Sequence, residues 1–430
     1  MPINSFLYPA KNVPTTYEVA NSCRFNSGSS DHLKWTSSPS GNRQKFTFSI
    51  WFKRAKLGVT QMLASASYSS GDEGYLYISS GDTLEWDSTS SGDGDMFSSI
   101  KLRDTSAFYH LVWSVDTTQS TAGNRMKFYL NGTQMTAWST ETQPNLNQSL
   151  YWNVGGTYYP YIGRRHNGDY FDGYMAEIVQ IDDAQLDATS FGEFDEDSGI
   201  WKPIDVSDLT FGGNTSYYLD FEDSSALGND VSGQNNDWGV NNLTATDQST
   251  DTCTNNFATW NPLDNYYPAM TLSEGNTKAL TVANKYTYTP TTIGMTSGKW
   301  YAEVKCTAQS GSQDAMVIGI TSTQSSATTQ ELGHHAHDWG YYANGDGTNG
   351  QYRNNDGCTC YGEVFTTGAI IGIYLDLDNN KLYFAKNGTV QNSGTGISIT
   401  DPASTPRGAY FFTVNNWSST TTGTFEANFG

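Results

Sequence analysis

The chain is 430 residues long, enough for two or three domains with adequate cores. Lys and Arg total 23 against 44 Asp and Glu, a formal net charge of −21 that argues against a protein tracking nucleic-acid phosphates or drawn to anionic lipid. With 27 Tyr, 20 Phe, 12 Trp and 42 Gly, and no stretch of sustained helical periodicity or membrane-spanning length, the composition predicts an all-β protein.

Residues 1–18 carry Pro2, Pro9 and Pro14 and read as an extended arm suited to docking on another protein. Their opening, "MPINSFLYPAKNVPTT", lacks a basic segment followed by an apolar one, so no secretion leader is expected. "FTFSIWFKR" then alternates cleanly. Phe46, Phe48, Ile50 and Phe52 should face a core, with Thr47, Ser49, Trp51 and Lys53 opposite. Strands are also predicted at "GYLYIS", "DTLEW", "FYHLVWSVD", "MKFYLNG", "YIGRR" and "GYMAEIVQID". They complete a first domain over 19–206. Residues 207–270 are polar and rich in Asn and Asp, and read as a connector in which "YYLDFEDSS" could pair with a neighbouring sheet. A second domain over 271–430 contains "SGKWYAEVKCT", "DAMVIGITS", "GAIIGIYLDLDNNKLYFAKNGTV" and "GTFEANFG". In it Trp300, Ala302, Val304 and Cys306 share one face, as do Ile371, Ile373, Leu375 and Leu377.

One small pattern occurs in both halves. "KFYLNGTQM" and "KLYFAKNGTV" each end an aromatic strand on Asn-Gly, the strongest short-range hairpin signal, and each follows an alternating strand ending in aspartate. The fold expected is two antiparallel β-sandwiches in series joined by the polar connector.

Several motifs suggest chemistry. "GEFDED" puts Glu193, Asp195 and Asp197 at the spacing of a carboxylate-bearing hydrolase strand, but turn-like residues flank it and no aromatic cleft strand surrounds it, so no enzyme is expected. "GHHAHDW" gathers His334, His335, His337 and Asp338, either an exposed polar loop or, with Cys358 or Cys360, a transition-metal site. "HNGDYFDGY" offers Asp169 and Asp172 as candidate calcium ligands, with Asp116 as a further one; the alternative is Asp-Gly turn formation. "HDWGYYANGDGTNGQYRNND" mixes Trp339, Tyr341, Tyr342 and Tyr352 with Asn and Asp. Sugar rings stack on aromatic faces and their hydroxyls pair with amides and carboxylates, so these four are the glycan-binding candidates; the alternative is that they face a core. Five cysteines at irregular spacing form no disulfide framework: Cys23, Cys253 and Cys306 read as apolar fillers, and Cys358 and Cys360 lie on one side of a strand.

The succession "LKWTSSPSGNRQKFTFSIWFKRAKLG", "AFYHLVWSVDTT", "NRMKFYLNGTQ" and "YIGRRHNGDYFDGYMAEIVQIDDAQL" resembles a laminin-G/concanavalin A-like jelly roll, in the form found in virion and tail proteins of tailed bacteriophages. The opening "GKWY", "GIYLDLD" with the Lys-Asn-Gly hairpin, and the closing "NFG" resemble a SPRY (B30.2-like) domain. The resemblance implies a non-enzymatic structural protein of a phage virion, a tail fibre or host-surface glycan-binding component. It implies assembly in the host cytoplasm, release by lysis, other virion proteins as partners, a homo-oligomer, calcium as the one candidate cofactor, and neither nucleic acid nor membrane insertion. The alternatives are a capsid or tail decoration protein working by packing alone and, third, a glycan depolymerase.

Overall fold

The computed structural model describes residues 17–430 apart from 36–38, 68–72, 157–158, 266–268, 284–286, 311–314, 325–330, 344–348, 417 and 419. All but the last two residues of the expected N-terminal arm lie outside that range. The described chain is an all-β protein of two antiparallel sandwiches with separate cores. In the first, sheet A runs Thr133–Gln134, Met126–Leu130, Tyr109–Asp116, Lys45–Arg54, Gly173–Asp182, Ser22–Phe25, Gln248–Ser249, and sheet B runs from Trp138–Thr142 through Gln61–Ser67 and Tyr159–Ile162 to His32–Lys34 and Gly239–Asn241. In the second, sheet C centres on Gly423–Asn428, Lys299–Gln309, Ile370–Asp376 and Lys381–Lys386. Sheet D centres on Phe411–Asn416, Met316–Thr321 and Asp338–Tyr342.

The repeated Asn-Gly pattern makes the same turn in both sandwiches. Asn131 and Gly132 have φ of 48° and 78°, Asn387 and Gly388 50° and 80°, the doubly left-handed turn that matches strand twist. Each asparagine does a second job. The backbone N–H of His110 donates to Asn131 Oδ1 at 2.8 Å, and that of Ile370 to Asn387 Oδ1 at 2.9 Å, so the turn is tied to the strand upstream. Asn131→Ala and Asn387→Ala should each cost about 1–2 kcal/mol, from a lost hydrogen bond and a left-handed residue that alanine tolerates poorly. In denaturant unfolding, only the sandwich holding the changed turn should respond.

Phe46, Phe48, Ile50 and Phe52 enter the first core as the alternation predicts, with Leu111, Trp113 and Val115 facing them. The opposite face is also buried, which alternation did not foretell. Trp51, Val112, Ala176, Val179 and Ile181 lie beneath Ala188, Phe191, Trp201, Val206 and Tyr218 in a second apolar layer. The chain after sheet A folds back as a sheath over the sheet's outer side. This corrects the connector reading of 207–270. Tyr217–Leu219 pairs with Gly173–Asp182, Gly239–Asn241 with His32–Lys34, and Gln248–Ser249 with Ser22–Phe25. The polar composition misleads because these strands are two or three residues long and their Asn and Asp side chains fold the intervening turns, as where Asp230 accepts from the N–H groups of Tyr218, Ser232 and Asn236.

Under the sheath, His110 is sandwiched between Trp51 (centroids 4.5 Å apart) and Trp201 (5.9 Å). Trp201 Nε1–H donates to His110 Nδ1 at 2.9 Å, so His110 Nε2 carries the proton and faces Ser49 Oγ at 2.8 Å. Burial pushes this imidazole down to about 3, and it stays neutral. Where the sandwiches meet, Arg24 pairs with Glu274 at 3.2 Å, Asn276 Nδ2–H donates to the Ala55 carbonyl at 2.7 Å, and Tyr174 Oη–H donates to the Gly275 carbonyl at 3.1 Å. Gly275 has φ of 61° and an added Cβ would stand 2.4 Å from Tyr174 Oη, so the turn needs glycine for both conformation and space.

Candidate functional site

The residues nominated for sugar stacking are not available to a ligand. Trp339 and Tyr341, 3% and 0% exposed, lie inside the second core, packed edge-on to Tyr410 at 5.6 Å and stacked on Phe384 at 5.1 Å. Tyr342, on the opposite face, is buried with Tyr288, Val317 and Leu332, and its hydroxyl donates to the Leu332 carbonyl at 2.8 Å. Tyr352 is half-buried at the core margin, its ring 5.8 Å from that of Tyr361. Trp339, Tyr341 and Tyr342 share the strand Asp338–Tyr342, both faces of which are buried in apolar clusters, so none of the three is open to a sugar.

Exposed aromatics are found on sheet C instead, apart from Phe194 of the first domain, which packs against Trp201. Trp300 and Tyr301 are 42% and 46% exposed. Tyr301 sits directly across from Tyr374, and Tyr374 from Tyr383, so three adjacent strands set three phenol rings in one row. The Tyr301 and Tyr374 ring centroids are 4.5 Å apart. In the next row Gly372 takes the place of a side chain; a Cβ there would stand 3.2 Å from Tyr374 and 3.3 Å from Tyr301, and its absence lets both rings lie low. Alternation puts Trp300 on one face with Ala302, Val304 and Cys306. Those three are buried, whereas Trp300 stands at the sheet end, where its indole N–H donates to the Ser297 carbonyl at 2.7 Å.

These rings line a shallow groove of about 500 Å³ together with Leu375 and Val390. Polar groups edge it. Lys299 pairs with Asp376, and the Tyr301 hydroxyl donates to Glu303 Oε1 at 2.5 Å. Partial burial, then that bond to the carboxylate, raise the Tyr301 pKa, so the phenol remains a donor at neutral pH. The arrangement is a flat aromatic ledge with a donor and acceptors at its margin, fit to stack a ring and bond its hydroxyls.

The other nominated residues are committed elsewhere. Asp169 pairs with Arg165 at 2.8 Å, while Asp172 Oδ2 accepts from Ser27 N–H at 3.2 Å and Ser27 Oγ–H at 2.6 Å. Asp116 Oδ1 accepts from Thr118 Oγ1–H at 2.6 Å. Among the described residues no three His, Cys, Asp or Glu side chains converge as a metal site. His334 pairs with Asp356 at 2.7 Å, and Cys358 accepts from Arg353 Nε–H at 3.0 Å, so they share no ligand set. In "GEFDED", Lys202 lies between Glu193 (3.2 Å) and Asp195 (3.3 Å). Asp195 is held down to about 2, chiefly by Ser198 and then Lys202, the reverse of what a general acid needs.

Comparison with known families agrees with this architecture. Residues 27–188 match the laminin-G model of the concanavalin A-like lectin/glucanases superfamily, and residues 299–424 match the SPRY domain. The chain carries these two domains in series. Solved structures similar to it include the SPRY domain of human HERC1 (16% identity, 35% of this chain and 86% of that chain, TM-score 0.28). A further human SPRY domain gives 14% identity over 37% of this chain and 95% of that one, with TM-score 0.29. A SAP-like pentraxin from Limulus polyphemus gives 15%, 40%, 79% and 0.30 in the same order. The tyrosine ledge belongs to the SPRY domain, and the sheath wraps the laminin-G-type domain. The ledge was partly legible: "GKWYAEV" marked a strand with Tyr301 facing outward, but only strand pairing joins it to Tyr374 and Tyr383.

Proposed function

We propose that this protein is a non-enzymatic structural component of a tailed-bacteriophage particle that binds a neutral glycan of the host surface on the tyrosine ledge of its SPRY domain. The observation that carries the reading is the ledge itself: Trp300 and Tyr301 stand open to solvent beside Tyr374 and Tyr383, whereas Trp339, Tyr341 and Tyr342 are buried and Tyr352 is half-buried. The family resemblance of the two domains in this order supports a place in the virion. The lysine-clamped carboxylates of 193–197 support binding over cleavage. No described helix is long and apolar enough to cross a membrane. Single contacts on so shallow a groove would be weak. Presentation of many copies in a homo-oligomer, among other virion proteins, would supply the avidity.

The test is a glycan array probed with the full chain and with the Tyr301→Ala/Tyr374→Ala variant. Two stacking contacts at about 1 kcal/mol each predict at least a tenfold loss of affinity in the variant, with unchanged thermal unfolding. The apolar share of the ledge also suits protein packing, the reading of a decoration protein. Full-chain protein that retains no glycan, together with antibody label spread over the capsid instead of the tail, would favour that second reading.

A further inference from the structure

Sheet B keeps its outer face free of the sheath that covers sheet A, and one corner of it gathers cations on tyrosines. The Arg164 guanidinium lies 5.0 Å from the Tyr161 ring centroid and 5.1 Å from that of Tyr170. Lys34 Nζ lies 4.0 Å over Tyr159 and 5.7 Å from Tyr161. Arg164 is fixed by neutral partners: its Nε–H donates to the Arg165 carbonyl at 2.6 Å, an NH2 group donates to the His166 carbonyl, and Nη1 faces His32 Nε2 at 3.4 Å. His32 Nδ1 is 2.9 Å from the Ser30 carbonyl, so it carries the proton and leaves Nε2 as acceptor for Arg164. Burial first, and then Arg164 and Lys34, lower the His32 pKa and keep it neutral. Among the described residues neither Arg164 nor Lys34 has a carboxylate partner, in a chain with 44 acidic residues against 23 basic ones.

The acidic groups on this face stand apart. Asp169 is taken by Arg165, which also covers Tyr75 at 5.6 Å. Glu73 is two strands from Tyr159 through Ser67, roughly 10 Å at the usual strand spacing, and Asp87 is three strands from Tyr161 through Tyr75 and Ser65, roughly 14 Å. Both exceed the screening length of about 8 Å at physiological salt, so among the described residues the charges nearest Arg164 and Lys34 are not offset by a carboxylate despite the net charge.

We propose that this corner is a second saccharide site, independent of the SPRY ledge, and that it takes an acidic glycan. A uronate carboxylate would meet the exposed edge of Arg164 and the Lys34 ammonium, while its ring rests on the half-exposed Tyr159 or Tyr170. A planar, immobilised guanidinium with no counter-ion among the described residues is preorganised for a carboxylate.

The experiment measures binding of the full chain to a galacturonate hexamer, to maltohexaose as a neutral hexamer, and to the oligonucleotide dT6. Binding of the uronate hexamer, weakened by salt and reduced at least tenfold by Arg164→Gln with Lys34→Gln, is expected. Lys34→Gln alone, a change at a half-buried side chain that leaves the core untouched, should reduce it severalfold with unchanged thermal unfolding. The ledge variant Tyr301→Ala/Tyr374→Ala should leave it unchanged, so that failure of one site does not count against the other. Equal binding of maltohexaose, equal binding of dT6, absence of uronate binding, or uronate binding indifferent to Lys34→Gln and to the double change would each overturn the proposal.

Discussion

Asp251→Ala should destabilise the laminin-G-type domain by about 3–5 kcal/mol, because it strands a charge inside the protein. Lys53 stands on the outer side of sheet A, 1% exposed at its side chain, where the sheath closes over it. Its ammonium donates to Asp251 Oδ2 at 2.9 Å, Asn256 Oδ1 at 2.9 Å and the Phe257 carbonyl at 2.7 Å, which uses all three protons. Burial lowers the Lys53 pKa and Asp251 opposes that shift, so the carboxylate is what keeps the lysine charged. Lys53→Met should cost less than Asp251→Ala, because the carboxylate it leaves still accepts from the Phe257 N–H at 3.1 Å and no buried cation remains. Guanidinium unfolding of the two variants checks the order. Asp251→Ala costing under about 1 kcal/mol would show that the clasp is open to water in solution.

The second large effect depends on pH. Glu177 lies in a bulge of Gly173–Asp182, where pairing with Lys45–Arg54 shifts between Ala176 and Val179 and its own φ is 48°. The hydroxyls of Tyr17 and Tyr218 donate to its Oε2 at 2.9 and 2.7 Å. Burial, the largest influence, pushes the carboxyl up to about 7 against the pull of those two bonds, with Asp220 and Glu222 adding to the rise. A folded pKa above the unfolded value means that the folded state keeps a proton which the unfolded state releases. The stabilisation is complete below about 4.5 and is lost as pH rises to about 7, some 3 kcal/mol in all. Glu177→Gln keeps the oxygen acceptor without the titration. Relative to the parent, the variant should gain about 3 kcal/mol between pH 4.5 and pH 8, measured by denaturant unfolding of both proteins at each pH. Comparing the two cancels the opposite trend from His110, whose depressed pKa makes stability rise with pH between about 3 and 6.5. A difference that stays constant across this range would show that Glu177 titrates normally.

Local rules governed what could be read from the sequence. The faces of Lys45–Arg54, Tyr109–Asp116 and Ile370–Asp376 follow from period-two alternation, and both Asn-Gly turns follow from positive φ. Two signals failed for the same reason. Trp339 and Tyr341 share one face of a strand, as Trp300 and Ala302 do, yet the first two are buried in the second core while Trp300 stands exposed at an end of sheet C, beyond the pairing with Gly423–Asn428. Residue type does not encode that difference; partners far along the chain do.

Glu177 makes the same point within one strand. Strict alternation after Met175 would turn its carboxylate into the first core, and the bulge instead moves it to the sheath side while Ile178 resumes the inward position. The sequence by itself determined the strands, their two faces and the turns, because these depend on neighbours one or two residues away. Only the tertiary structure decided which polar faces are covered, that segments within 184–257 cover sheet A and add strands to both sheets of the first sandwich, and that the tyrosines of the ledge come from three separate strands. Burial and cross-strand pairing are properties of contacts between distant segments, and no local pattern carries them.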